Sequence, residues 1–383
     1  MREDDTRPGR AQPGPGHEGS PSALSAGSRP PPARAQAAAR RRDRVPLWIV
    51  LTVCLVLLLV IMTLGVAIGS VPVSPDRVWH VVIAGIAGHA PGTVAGIIIW
   101  QIRLPRVLLA AVVGAALTTC GSVVQVLVRN ALADPFLLGV SSGASVGATA
   151  VLLLGAFASL GIWAISVGSV LGALAAMAAV FLVSRTGSSL SPTQLILCGV
   201  VMSALFESVT SFLIFRGNPQ ATQAVLFWLL GSFGLASWNQ IPIPALALAA
   251  AMVYLLAQGR ALNALAMGSE PAASLGLDVP RMRRNLFIVT SLMAGVAVAV
   301  SGVIGFVGLV VPHIVRLIVG SDHRRVLPTG VLFGAGFMVL GDLLARTIVS
   351  PQEMPIGVIT AFIGAPTLIV LIRRRPYLYG ATQ

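Results

Sequence analysis

Lysine is absent from this 383-residue chain: all 26 of its basic residues are arginine. A phosphate-binding loop of the GxxxxGK[ST] kind needs a lysine to hold the phosphates, so an ordinary nucleotide-hydrolysing site is excluded. Charge of either sign is scarce, at 10% of residues, where a soluble domain carries about 25%. With 56% hydrophobic residues and a mean hydropathy of +0.88, the chain reads as a polytopic membrane protein, one long helical domain rather than several soluble ones. Cys54, Cys120 and Cys198 each sit inside an apolar run without CxxC spacing, so they are small hydrophobes and imply neither disulfide nor redox site. The histidines His17, His80, His89, His313 and His323 lack HxxxH spacing, which argues against a protein-bound metal. With no Ser-His-Asp, metal or cofactor constellation, the chain is expected to be no enzyme and to carry no cofactor of its own.

What the chain has in abundance is uncharged runs of about 20 residues, enough to cross a hydrocarbon core of about 30 Å as a helix. Such runs lie near 46–69, 104–128, 135–155, 160–183, 193–215, 241–258, 284–302, 304–320, 327–348 and 356–372. Ten spans place both termini on one side. The net charge of +13 is concentrated in arginines of the loops between runs, so bilayer lipid and not nucleic acid is the expected partner. Arg129, Arg185, Arg260, Arg281, Arg283, Arg284, Arg324, Arg325 and Arg373 to Arg375 fall on one side, and Arg77, Arg103, Arg106, Arg216 and Arg346 on the other. The richer side is assigned to the cytoplasm, giving a multi-pass plasma-membrane protein with both termini cytoplasmic.

Residues 1–45, rich in Pro, Gly, Ala, Ser and Arg, hold too few large apolar side chains to offset the entropy of ordering and are expected to be a disordered cytoplasmic extension. The transmembrane domain covers 46–375 and a short tail 376–383. Spans two to five and seven to ten form two blocks of four joined by span six, of opposite starting side, which is an inverted repeat.

One stretch organises the chain: RLPRVLLAAVVGAALTTCGSVVQVLVRNALADPFLLGVSSGASVG, Arg103 to Gly147. Gly114, Ala115, Ala116, Thr118, Thr119, Gly121 and Ser122 form a small-residue face on its first run, which lets helix backbones approach closely in lipid. The RNALADP segment, with helix-stopping Pro135, is a short polar turn before the chain returns.

RLPR, the RNxLADP turn and LLGVSSGA resemble, in order and spacing, the permease subunits of ABC importers for iron-siderophores, haem and cobalamin, the FecCD type. GVIGFVGLVVPHIVR (Gly302 to Arg316), GDLLAR (Gly341 to Arg346) and the PQEMPIGVITAFIGAPTLIVLIRRR tail match the same family. The resemblance implies an all-α type II ABC importer permease working as a homo- or heterodimer. Two cytoplasmic ATPase subunits use the ATP, and an extracytoplasmic binding protein delivers cargo. Iron(III)-siderophore is the first expectation for that cargo, cobalamin or haem the alternative, and any iron travels inside it.

The family match assigns roles to particular residues. Arg103, Arg106 and Arg346 correspond to arginines that pair with acids on the binding protein, against the plain reading that they anchor helix ends at headgroups. Asp342, one turn before Arg346, is read as pairing with it. The loop 260–284 corresponds to the helices that couple to the ATPase, with Glu270, Leu275, Gly276 and Leu277 at the expected place. Asn130, Leu132 and Thr193 correspond to the cytoplasmic gate, with turn and helix cap as their plain readings; Ala131 stands where the family has proline. Glu207, mid-run in LILCGVVMSALFESVTSFLIF, must face a cavity, find a partner or be protonated. The resemblance puts it on the translocation pathway, and a hydrogen bond to a neighbouring helix is the alternative. His313, after Pro312, is read as packing. A gradient-driven secondary transporter using Glu207 and Asp342 as proton carriers is the competing functional class.

Overall fold

In the computed structural model the described residues are 45–69, 72–89, 92–186 and 189–374. The expected extension 1–45 thus lies outside them except for Val45, as do Arg375 and the tail 376–383. Nearly everything else is helix. Helix α1 (Leu47–Ala67) is entered from Pro46 and carries no charge. The amphipathic α2 (Pro75–Ile86) follows, with proline in its first turn and Asp76 near its positive end. Helix α3 then runs unbroken over Val94–Leu127.

The sequence places the start of this second span at 104, where Leu-Pro looks like a helix opening, but the helix begins ten residues earlier. Thr93 caps it, its hydroxyl accepting from the Gly96 N–H at 3.1 Å. Residues Ile98–Arg103 form a π-turn closed by the Leu104 N–H donating to the Ile99 carbonyl. That wider turn accommodates Pro105 within a continuous helix.

Two antiparallel helices follow, α4 (Val140–Leu154) after a 3-10 turn at Pro135–Leu138, and α5 (Ala164–Ser184). A two-residue antiparallel pair, Arg185–Thr186 with Ser189–Leu190, links α5 to α6 (Pro192–Arg216). Next come α7 (Pro219–Leu229), α8 (Pro242–Ala257), the short α9 (Gly259–Met267) and α10 (Ser269–Ser274), and then α11 (Val279–Ser301), α12 (Val307–Val319), α13 (His323–Thr347) and α14 (Ile356–Arg374). Among the described residues seven helices are long and apolar enough to cross a bilayer, and three shorter apolar ones, α4, α12 and α14, complete the ten expected spans. Helix α12, with 13 residues, reaches only about 20 Å. The 302–306 segment before it, where the sequence has its SGVIG hinge, is non-helical.

Helix α3 is the hub. In its apolar window 89% of residues are buried, against 11% in α1. It packs on α13, α11, α12 and α8, whereas α1 leans mainly on α13. The expected small-residue face is what permits this. A methyl group on Gly121 would lie 1.7 Å from the Gly308 carbonyl oxygen of α12, and one on Gly114 2.3 Å from that of Gly334 in α13. These backbones touch where lipid supplies no hydrophobic drive, so van der Waals contact carries the association.

Side-chain ties sort the loops into two ends. Arg325 reaches the Val45 carbonyl, Asn263 reaches Asp322, and Arg129 lies beside Gly268, so these regions share the Val45 end. Arg103 reaches Val66 and Ala67, Arg346 reaches Gly65, and Arg106 reaches Glu353 at the opposite end.

Candidate functional site

The opposite end is built around an ion network in the mouths of α3 and α13. Asp342, 1% exposed, accepts from Arg106 of α3 at 3.0 and 3.1 Å through Nε, and from Arg346, one turn along its own helix, at 3.1 Å. The expected Asp342–Arg346 pair is present. Arg106 also donates through Nη1 to Glu353 at 2.9 and 3.0 Å. Glu353 sits in the loop between α13 and α14 and, unlike Asp342, has 49% of its side chain exposed. Charged groups this deep persist only when their hydrogen bonds are met, as the fork of Arg106 meets them.

The three arginines expected to face a docking partner are turned inward. Arg103, 6% exposed, donates to the Val66 and Ala67 carbonyls at 3.0 and 3.1 Å, and Arg346 donates to the Gly65 carbonyl at 2.9 Å. These are last-turn carbonyls of α1, which have no partner within their own helix and carry its negative dipole end. Two arginines from different helices therefore cap α1. As the structure stands, Glu353 is the charged group of this network that meets the surroundings.

At the Val45 end, the turn after α3 holds two of the gate candidates, Asn130 and Leu132, while Thr193 lies on α6. Arg129 takes a left-handed conformation (φ 52°), and the Asn130 Oδ1 accepts from the Leu132 N–H at 2.9 Å. This side-chain turn orders the loop where the family has proline and this chain has Ala131. Asp134 next caps the Pro135–Leu138 turn by accepting from the Phe136 N–H at 2.9 Å. Burial pushes its carboxyl up to about 6, with the Phe136 N–H pulling the other way. Thr193 is exposed in the first turn of α6. The capping position belongs to Ser191, so the helix-cap reading of Thr193 is corrected: Pro192, which has no N–H, takes the first helical position and moves the helix start ahead of it.

The loop expected over 260–284 contains the two helices anticipated, α9 and α10, broken at Gly268, whose φ of 134° favours glycine. Glu270 and Leu275 are exposed, Leu275 at 66%. Gly276 (φ 81°) closes α10 by donating to the Ala273 carbonyl at 2.8 Å, and Leu277 turns back toward the core. The loop is pinned on both sides. Arg283 donates to the Ser269 hydroxyl at 2.8 Å, and the Asn263 amide donates to Asp322 at 2.7 Å while its oxygen accepts from the His323 N–H at 2.9 Å. Burial works to raise the Asp322 carboxyl, but the Asn263 amide and the Arg324 N–H outweigh it and hold it below the usual carboxylate range.

Glu207 lies exposed on α6, on a helix that also exposes Leu197, Val200, Val201, Leu205 and Phe212. Among the described residues no hydrogen bond or ion pair joins it to a neighbouring helix, so of the two sequence readings the neighbour-helix bond is the one not found. His313 is half-buried in α12, next to the in-helix Pro312. Sequence reasoning missed Glu353, Asn263 and Asp322. Only Asp322 had a local signal, as a helix-capping aspartate before α13.

Residues 56–374 match the FecCD transport family. The chain is 43% identical over 318 residues to an uncharacterized ABC transporter permease protein, YvrB, of Bacillus subtilis, covering 82% of this chain and 90% of that one. It is 39% identical to the hemin transport system permease protein HmuU of Yersinia pestis (84% and 94% covered). It is 40% identical to the cobalamin import system permease protein BtuC of Halobacterium salinarum (73% and 74% covered). Among solved structures it resembles an inward-facing conformation of a putative metal-chelate type ABC transporter, with a TM-score of 0.74, 32% identity, and 85% and 98% of the two chains covered. A buried hub helix, an all-α bundle with seven helices long and apolar enough to cross a bilayer among the described residues, and a pinned pair of loop helices thus coincide with a match over residues 56–374, and the chain belongs to the FecCD transport family of ABC importer permeases.

Proposed function

We propose that the chain imports a bulky metal chelate, iron(III)-siderophore in the first instance, as one half of a permease dimer in the plasma membrane with its Val45 end in the cytoplasm. The observation that supports this reading best is the FecCD match together with the fold shared with a metal-chelate type transporter. The greater number of arginines at the Val45 end supports the orientation. Haem or cobalamin is the second reading, favoured by relatives named for hemin and cobalamin at 39% and 40% identity.

In this mechanism two ATPase subunits seat against α9 and α10, with Met267, Glu270 and Leu275 forming the exposed contact. Their ATP cycle shifts the pinned loop, and α11, which Arg283 ties to Ser269, carries the shift toward the turn holding Asn130 and Leu132 and toward Thr193. The bare face of α6, including Glu207, lines the pathway between two copies or between this chain and a paralogue. A binding protein docks at the opposite end, where Glu353 must leave Arg106 before that arginine can take a partner's carboxylate. The chain itself breaks no covalent bond and needs no cofactor. Asp342, already held by two arginines, is poorly placed as a proton carrier, which weakens the gradient-driven alternative.

The test is uptake by a deletion strain, with and without this gene, of radio-iron presented as hydroxamate chelate, catecholate chelate or haem, alongside labelled cobalamin. Gene-dependent loss of one iron chelate that persists under an uncoupler supports the reading. Loss of cobalamin or haem alone moves the cargo, and uncoupler-sensitive uptake overturns the ATP-driven mechanism.

A further inference from the structure

The first span leaves a gap that the protein does not fill. Between α1, α2 and the start of α3 lies a cavity of about 410 Å³, walled by Leu59, Met62 and Val66 of α1, Val78, Trp79 and Val82 of α2, and Trp100 and Leu104 of α3. That is the size of a small-molecule pocket. Its wall is almost wholly apolar; the Thr63 hydroxyl is spent on the Leu59 carbonyl at 2.8 Å, and the Trp238 N–H on the Trp100 carbonyl at 2.9 Å. Neither is left to recognise a polar ligand, so the occupant must be hydrocarbon.

Where the cavity opens identifies the hydrocarbon. Its rim residues Leu59, Trp79 and Ile86 are exposed, and it is continuous with the bare side of α1, where Leu55, Val56 and Val60 also lie open. In a membrane protein that side is the lipid interface. Away from its buried Val78, α2 exposes Asp76, Arg77 and His80, the pattern of an amphipathic helix lying at headgroup level. Trp79 and Trp100 both line the groove, and tryptophan is the side chain enriched at a bilayer boundary. Arg77, exposed and next in sequence to the wall residue Val78, offers a cation that suits a lipid phosphate, with Asp76 beside it disfavouring a strongly anionic headgroup.

We infer that this groove is a binding site for one phospholipid, its acyl chain lying between α1 and the α2–α3 wall and its phosphate near Arg77. The chain acts as a wedge that holds α1, otherwise packed chiefly on α13, against α2 and the π-turn of α3. The inference does not depend on which cargo is carried.

The test uses the full chain. After detergent washing, native mass spectrometry of the wild type should show one retained phospholipid, and a groove-filled Thr63→Phe/Val82→Phe variant should have lost it while keeping its gel-filtration profile. In vesicles of phosphatidylcholine brominated along the acyl chain, a protein whose other tryptophans are replaced by phenylalanine should lose most of its Trp100 emission, and the filled variant should regain it. Unchanged lipid retention on filling, or Trp100 emission indifferent to bromine, overturns the site; the second result would mean that another protein segment covers the groove. If the single-tryptophan protein does not fold, the lipid count of wild type against the filled variant decides alone.

Discussion

Removing Asp342 should be far more damaging than removing Glu353, although both carboxylates bind the same arginine. Asp342 is 1% exposed and is shared by Arg106 and Arg346, whose side chains are 9% and 7% exposed. An Asp342→Ala substitution leaves two buried guanidiniums without their shared carboxylate, and Glu353 is bonded to Arg106 alone. Breaking a buried pair in this way costs about 3–5 kcal/mol, because the surviving charge stays desolvated. Glu353 has 49% of its side chain exposed, so Glu353→Ala leaves Arg106 its better partner and should cost about 1 kcal/mol or less. For a chain of this size 1 kcal/mol shifts the midpoint by roughly 2 °C, which puts Asp342→Ala about 6–10 °C below wild type and Glu353→Ala within about 2 °C. Thermal unfolding in lipid nanodiscs, followed by tryptophan fluorescence at one scan rate, reads the difference. Equal shifts for the two variants, or a larger one for Glu353→Ala, would refute the view that burial sets the energetics of this network.

Gly121→Ala should prevent the α3–α12 contact, since its methyl would sit 1.7 Å from a backbone oxygen; a loss of about 3 kcal/mol or more should appear as aggregated protein in gel filtration. Gly305→Ala, with nothing within 4 Å, should elute as wild type. Asp134 has its carboxyl raised from 3.8 to about 6, so the fold favours the protonated form and loses stability as pH rises from about 4 to about 6. Asp134→Asn keeps an acceptor for the Phe136 N–H and removes that cost. The variant should gain at most about 3 kcal/mol at pH 7, at 1.36 kcal/mol per unit, with no gain below pH 4, measured as the midpoint difference across a pH series. Leu275→Asp, on a side chain 66% exposed, should leave the melting point unchanged while abolishing association with the ATPase subunits in a pull-down; full association would remove α10 from the coupling surface.

The spans were legible because a bilayer imposes one simple demand, an uncharged run of sufficient length, and each expected run has its helix. The misplacement of the second span's start by ten residues shows the limit. Leu104-Pro105 carries a helix-opening signal that the π-turn at Ile98–Arg103 overrides, and a π-turn has no pattern of its own in sequence. Helix α2 was missed for a different reason: at 12 residues, with Asp76, Arg77 and His80 among them, it is too short and too polar to read as a span, though it lines the groove. The small-residue face of α3 was legible as a demand for close approach, but which helices approach was not. Charges were hardest. That Arg103, Arg106 and Arg346 lie at one end could be read from topology, and Asp342–Arg346 from helical spacing. Whether an arginine points out to a partner or in to a carbonyl depends on groups distant in sequence. Glu353 is 247 residues from Arg106 and the α1 carbonyls are 36 and 37 from Arg103. No local pattern carries that information. The same arithmetic bears on docking: an arginine that already satisfies α1's last turn gives up those bonds to meet a partner's acid, so pairing through Arg103 must loosen the end of α1. In the proposed docking, Arg106 exchanges a half-exposed Glu353 for an incoming carboxylate without giving up a bond to α1, so it is the arginine whose loss should weaken binding-protein association while leaving α1 in place.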